Sequence, residues 1–189
     1  MSLEFDIAIV GSGLTGNSTS LALEKAGYKI ALIDPMTFAR AKSFSQDTRT
    51  TAISKKAKEF FQVIGVWKHI SVYACPIKNI IVKESDNNNN VSFSQKKNKK
   101  PIVPMGYMIE NKCLSTQLIN LVSKKKNIIK FDAKILNFFR SENHVTVNLN
   151  NNKKIKCLLL IGADGRNSSV RKLAEIKHVK KNYHQKAFI

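Results

Sequence analysis

The chain has 189 residues, 43% of them hydrophobic, and 32 basic residues against 13 acidic ones give it a formal net charge of +19. That length buries a core in one domain or one and a fraction, and the apolar share excludes a disordered chain. No apolar stretch approaches the roughly 20 residues of a membrane-spanning helix, and Glu4 and Asp6 ahead of the first apolar run argue against a secretory signal.

That first run, Ile7 to Val10, leads into Gly11, Gly13 and Gly16 at the spacing G-x-G-x-x-G. A helical pattern starts near Leu14, and a second apolar run, Tyr28 to Ile33, ends in Asp34. Strand, glycines, helix, strand and acid in this order within about 30 residues are the fingerprint of an adenine dinucleotide site. Gly11 permits the turn out of the strand, Gly13 lets backbone approach a pyrophosphate, and Gly16 allows close packing of helix on strand. The helix would turn its unpaired N–H groups and positive dipole end toward the phosphates. Asp34 stands where a carboxylate accepts hydrogen bonds from ribose hydroxyls. The alternative is a glycine-rich turn that only packs a helix on a sheet. Gly27 is placed to stop the helix, and Pro35 ends the second strand.

A polar, irregular segment runs to about Thr50, and the periodicity then predicts an amphipathic helix from about Ser54 to Trp67. Ala57, Phe60, Phe61 and Ile64 share one face of it and read as core. Asn79 to Lys83 and Val91 to Ser94 read as strands joined by an Asn tract. A further helix spans Leu114 to Ser123, with Leu114, Leu118, Leu121 and Val122 on its buried face. Three strands follow: Ala133 to Phe139, Val145 to Leu149, and Ile155 to Ile161. The last is continuously apolar from Cys157, as a strand buried on both faces should be, and runs into Gly162-Ala163-Asp164-Gly165. The chain thus opens and closes with parallel-type core strands, with a helix and an antiparallel meander between.

The charge has a plain reading. Lys96, Lys97, Lys99 and Lys100 follow the tract Asp86 to Asn90, and Lys153 and Lys154 follow Asn150 to Asn152, as solvated turn tips would. An anionic membrane surface is the second reading, each nearby lysine contributing about 1 kcal/mol. Nucleic acid is not expected, because no aromatic residues interleave the lysines for base stacking. Cys75, Cys113 and Cys157 are odd in number and form no C-x-x-C pair, and His69, His144, His178 and His184 are scattered. These patterns predict a reducing cytoplasm and no metal site.

Three more stretches narrow the reading. They are Asp47-Thr48-Arg49-Thr50-Thr51-Ala52-Ile53-Ser54 with Ile64-Gly65-Val66-Trp67 after it, Gly106-Tyr107-Met108-Ile109-Glu110-Asn111-Lys112-Cys113-Leu114, and Gly162-Ala163-Asp164-Gly165-Arg166-Asn167-Ser168-Ser169-Val170-Arg171 with Tyr183-His184-Gln185-Lys186-Ala187 beyond. With the glycine fingerprint, they make the chain resemble the class A flavoprotein monooxygenases related to para-hydroxybenzoate hydroxylase. More narrowly, it resembles the ubiquinone-biosynthesis hydroxylases.

The resemblance implies an α/β, Rossmann-like FAD/NAD(P)-binding domain of the glutathione-reductase-like kind, with an inserted antiparallel β-meander, over residues 1–189. It implies FAD as cofactor and NAD(P)H as transient reductant. The substrate would be a small aromatic quinone precursor, a polyprenyl phenol hydroxylated with O2. It further implies peripheral contact with the anionic inner face of the cytoplasmic membrane, and other ubiquinone-biosynthesis proteins as partners.

Cofactor contacts fall on Gly11, Gly13, Gly16, Asp34, Arg49, Asn111, Asp164 and Gly165. The planar fork of Arg49 suits phosphate or the flavin edge, its alternative being a surface arginine paired with Asp47. Asp164, Gly165, Ser168 and Arg171 match the family's D-G-x-x-S-x-x-R motif, which borders the pyrophosphate and the approach of the nicotinamide donor. The alternative there is a turn with Ser168 capping a helix. Asn111 falls where the family places a residue beside the flavin ribityl chain. No nucleophile–base pair stands out and no catalytic residue is assigned, in keeping with chemistry carried by the flavin.

Two departures matter. Asp34 replaces the family's usual Glu, and the third family motif, G-D-A-x-H, does not occur before Ile189. The resemblance therefore covers the N-terminal part of such an enzyme, in split, decayed or truncated form, and these residues alone are expected to bind FAD weakly without turning over. An NAD-dependent Rossmann oxidoreductase and a non-catalytic remnant are the alternatives.

Overall fold

The computed structural model describes residues 2–35, 47–83, 90–94 and 104–185. They divide into two compact units, one made of Met1–Gln46 with Leu118–Ile189, the other of Asp47–Gln117. The first unit begins with β1 (Leu3–Glu4), β2 (Ile7–Val10), α1 (Leu14–Lys25) and β3 (Ile30–Ile33). The second holds β4 (Thr50–Ser54), α2 (Lys55–Val63), α3 (Trp67–Ile70), β5 (Cys75–Ile77), β6 (Asn79–Lys83), β7 (Asn90–Ser94), β8 (Gly106–Glu110) and the start of α4 (Asn111–Ser123). The chain then returns to the first unit for β9 (Ile128–Phe131), β10 (Ile135–Arg140), β11 (Val145–Leu149), β12 (Lys154–Cys157), β13 (Leu159–Gly162) and α5 (Ser169–Leu173).

In the first unit a parallel sheet runs β13-β2-β3-β9, and a second sheet runs β1-β12-β11-β10. Every residue of β2 and β3 is buried, so these two apolar runs are core strands, as their sequence requires. The meander β10-β11-β12 is antiparallel, with β1 added in parallel at its edge. One face of each sheet meets in a shared core that includes Val10, Ile33, Phe131, Val147, Leu149 and Ile155. Phe5 and Phe131 pack edge to face within it, their centroids 5.7 Å apart.

Helix α1 buries a face of Gly16, Asn17, Ser20 and Leu21, small and polar residues in place of a large apolar stripe. Its end is set by Gly27, at φ +98°, whose N–H donates to the Glu24 carbonyl while that of Tyr28 donates to Leu23. These are the paired bonds of a Schellman stop, the left-handed residue falling on the glycine that tolerates it.

Two expectations about the elements need correction. The apolar run Ile155 to Ile161 is two strands in two sheets, β12 and β13, and not one strand buried on both faces. The chain changes sheet at Leu158, whose N–H donates to the Asp6 carbonyl at 2.9 Å, while Phe5 donates to the Lys156 carbonyl. The N-terminal segment crosses between the sheets at the same place, so the two crossings are tied together by backbone bonds. Leu158 and Leu159 are 69% and 50% exposed, because β13 is an edge strand of the described sheet. The helix expected over Ser54 to Trp67 is also interrupted. It stops at Val63, turns through Gly65 and resumes as α3, and Phe60 is exposed while Phe61, Val66 and Ile70 are buried.

In the second unit β4, β8 and β5 form an antiparallel sheet, with Thr50 opposite Glu110 and Ser54 opposite Gly106. Ser54 caps α2, its hydroxyl accepting from the Ala57 N–H. Trp67 packs edge-on against Tyr107 at 4.9 Å, and the Lys58 ammonium lies over both rings. The polar segment after Pro35, the lysines at 96, 97, 99 and 100, and Lys186 and Ala187 lie outside the described residues. No helix among the described residues is long and apolar enough to cross a membrane.

Candidate dinucleotide-binding site

The fingerprint loop leaves β2 at Gly11, whose N–H still donates to the Ile33 carbonyl at 2.8 Å and whose φ of +105° then turns the chain away from the sheet. A Cβ at Gly11 would collide with the Ala163 carbonyl and the Asp164 Cα, and one at Gly16 would collide with the Gly11 carbonyl oxygen. Three backbone segments therefore meet with no side chains between them: the fingerprint loop, the first turn of α1 and the Ala163–Asp164 turn. The Ala163 N–H donates to the Val10 carbonyl at 2.7 Å, which fixes that turn beside the end of β2. Gly13 is the N-cap of α1, in extended conformation, and accepts from the Asn17 N–H.

Asp34 stands at the C-terminal end of β3, 1% exposed, and its Oδ2 accepts from the Ser12 N–H at 2.7 Å. Asn17 donates from its side-chain amide to the Ser12 carbonyl at 2.7 Å. The Ser12 peptide is thus held from both sides, and the loop is shaped before any ligand arrives. Ser12 and Asn17 shape this loop, and the motif spacing did not single them out. Their signal is a short polar residue in a setting that buries it, and only the folded backbone supplies that setting.

Asp164 and Gly165 follow β13 directly. The Asp164 carboxylate accepts from the Ser168 hydroxyl and the Ser169 N–H, each at 2.5 Å, and from the Val170 N–H at 3.2 Å. Ser168 in turn caps α5, its hydroxyl accepting from the Arg171 N–H at 2.9 Å. The arrangement of turn plus cap is therefore present, and it fixes the backbone of the Asp164–Gly165 turn that lies against Gly11. Arg171 is turned inward on the same loop, donating to the Arg166 carbonyl at 2.8 Å.

Arg49 and Asn111 belong to the second unit, where a single carboxylate gathers them. Asp47 takes the Arg49 guanidinium in two bonds of 2.8 Å and also accepts from the Arg49 N–H at 3.0 Å. The guanidinium beside Asp47 holds its carboxyl well below the usual carboxylate range, and Arg49 is pushed further up. Asn111 opens α4: its N–H donates to the Arg49 carbonyl at 2.9 Å, and its side-chain oxygen accepts from the Thr51 hydroxyl at 2.5 Å. Its amide nitrogen reaches Asp47 at 3.5 Å. The pairing of Arg49 with Asp47 that the D-x-R spacing allowed is what the structure has.

The donor set of the first unit suits a dinucleotide. It offers a cradle of backbone closed to any Cβ, a helix N-terminus and a buried acid at the strand end. A four-stranded parallel sheet carrying these parts defines a Rossmann-like dinucleotide-binding fold. The chain matches the FAD_binding_3 family, an FAD binding domain, over residues 4–188, and it belongs to that family. It is 30% identical over 174 residues to 3-demethoxyubiquinol 3-hydroxylase of Escherichia coli (strain K12), covering 90% of this chain and 44% of that protein. It is 27% identical over 185 residues to ubiquinone hydroxylase UbiL of Rhodospirillum rubrum, covering 97% and 42%. The chain spans less than half the length of these relatives.

Among solved structures, it superposes on p-nitrophenol 4-monooxygenase PnpA of Pseudomonas putida DLL-E4 with a TM-score of 0.76 at 16% identity, covering 92% of this chain and 44% of that one. It likewise superposes on the flavin-dependent monooxygenase PieE in complex with FAD and substrate, with a TM-score of 0.69 at 17% identity, covering 93% and 32%. At these identities the likeness is one of fold.

Proposed function

We propose that this chain is the FAD-binding part of a monooxygenase that hydroxylates a polyprenyl phenol in ubiquinone biosynthesis, with NAD(P)H as reductant. The observation that carries the reading is the fingerprint loop pressed backbone to backbone against the Asp164 turn, in a chain whose curated relatives include ubiquinone hydroxylases. When bound, FAD would supply hydride acceptance and oxygen activation, chemistry that no side-chain set here needs to provide.

The residues of this chain bind and orient. Gly11 and Gly16 let the fingerprint loop, α1 and the Ala163–Asp164 turn close on one another, and Gly13 opens α1, whose first N–H groups would meet the pyrophosphate. Asp34, at the C-terminal end of β3 beside the fingerprint loop, is where the ribose hydroxyls would be received. Asp164 and Gly165 present backbone to the phosphates, with the Asp164 side chain spent on keeping the turn in shape. Within the second unit, Asp47 organises Arg49 and Asn111, which the family resemblance makes candidates for further cofactor contacts. A substrate that resides in the bilayer gives the strongly basic chain a reason to meet an anionic membrane surface.

Titration of the purified chain with FAD tests the reading. Uptake of a flavin absorption band, abolished by Gly16→Ala, is the expected result. A chain that takes up no flavin but is protected from unfolding by NAD overturns it.

A further inference from the structure

The main chain of Asn111 is held by the sheet of the second unit. Strands β4 and β8 pair antiparallel from Thr50 opposite Glu110, and the Asn111 N–H extends that ladder by donating to the Arg49 carbonyl at 2.9 Å. The freedom left is that of the side-chain amide, whose oxygen and nitrogen ends are alike in shape and opposite in hydrogen-bonding character. Two neighbours in the same unit meet it. The Thr51 hydroxyl lies 2.5 Å from Oδ1, and Asp47 Oδ2 lies 3.5 Å from Nδ2.

These neighbours are not equivalent. An ionised carboxylate only accepts, and Asp47 is held ionised by two guanidinium bonds of 2.8 Å, its side chain 9% exposed against 57% for Arg49. Turning the amide over would set its oxygen against that carboxylate with no proton between them. Asp47 therefore selects the nitrogen end, but at 3.5 Å it holds that end loosely. The firm bond is the one from Thr51. A hydroxyl carries one proton, and here it goes to Asn111 Oδ1. The polarity thus runs one way along the cluster: Thr51 donates to Asn111, and Asn111 and Arg49 both donate to Asp47. Among the described residues, the groups left unspent include two donors, the second amide hydrogen of Asn111 and the Nη1 group of Arg49. Such donors suit a ligand rich in oxygen acceptors, a polyol or a phosphate.

We infer that Thr51 is a positioning residue for the cofactor: its hydroxyl locks the Asn111 amide so that the nitrogen end is the one offered to oxygen acceptors of FAD. This deepens the proposed function and rests on its reading of Asn111 as a cofactor contact. Thr51→Val keeps a β-branched side chain in β4 and removes the proton donor, whereas Thr51→Ser keeps the donor.

The test titrates the full chain with FAD, read by flavin fluorescence, for the parent and both variants. Thr51→Val should weaken uptake about fivefold, and Thr51→Ser should bind as the parent does. In an Asn111→Ala background Thr51→Val should have no further effect, as a residue acting through Asn111 requires. The second readout needs no flavin. The side-chain amide resonances of Asn111, assigned by their loss in Asn111→Ala, should move toward those of a free asparagine in Thr51→Val and stay in place in Thr51→Ser. Circular dichroism serves as the folding check on each variant. Equal uptake by the parent and Thr51→Val, an undiminished effect of Thr51→Val in the Asn111→Ala background, or amide resonances indifferent to Thr51→Val would each overturn the inference. A parent that takes up no FAD counts against the proposed function, and the amide resonances then decide by themselves whether Thr51 holds Asn111.

Discussion

One methyl group at residue 16 would test the geometry of the fingerprint loop. A Cβ at Gly16 points into the Gly11 carbonyl oxygen, and backbone cannot yield as a flexible side chain would. We expect Gly16→Ala to cost about 1–3 kcal/mol of stability through overpacking and to remove FAD uptake, read by thermal unfolding and flavin absorbance. Asp47 is the second residue whose role is readable from its contacts. Its folded carboxyl is held down by Arg49, so its contribution is complete above the unfolded carboxylate value of about 3.9. That contribution is lost only as pH falls through the lower folded value. Replacing Asp47 by Asn should therefore weaken the second unit at neutral pH and leave the two proteins closer in stability at the acid end, followed by unfolding at a series of pH values.

At the scale of elements, the short helix α5 stands because two side chains satisfy its first N–H groups, Ser168 from within and Asp164 from the preceding turn. We expect Asp164→Ala to destabilise the first unit by about 1–2 kcal/mol, measured by denaturant unfolding. A milder loss with the shape-conserving Asp164→Asn would assign the effect to the hydrogen bonds. The β-α-β opening was legible because its signals are local: apolar runs for β2 and β3, a stop at Gly27, an acid at the strand end. The division of Ile155 to Ile161 into β12 and β13 was not. Its cause is the backbone of Asp6, which is distant in sequence and adjacent only after folding. The interruption of α2 at Gly65 lay between these cases, since the glycine was visible but the burial of Val66 behind it was not.

For the whole molecule, the cysteines offer a probe of how burial is distributed. Cys157 is buried in the core of the first unit and its thiol is pushed up by that burial, whereas Cys75 is exposed. Thiol labelling of the native chain at neutral pH should modify Cys75 readily and spare Cys157 until the protein unfolds, which peptide mass mapping would follow. The same contrast bears on the candidate site. Gly11, Gly13, Gly16 and Asp34 were readable because a dinucleotide loop imposes a fixed spacing on one continuous stretch. Ser12, Asn17 and the clustering of Arg49, Thr51 and Asn111 around Asp47 were not, because each depends on groups brought together from separate strands and helices.

By itself, the sequence determined the dinucleotide character of the chain, its α/β class and its family. Those depend on side-chain types at short, regular spacings, which need no knowledge of the fold. Tertiary structure alone decided which carboxylates face inward. Asp34 braces the Ser12 peptide, Asp164 caps a helix and Asp47 grips an arginine, three acids alike in sequence and different in use. The physical reason is that a carboxylate takes its role from the donors within hydrogen-bond reach, and chain folding, not sequence order, chooses those donors.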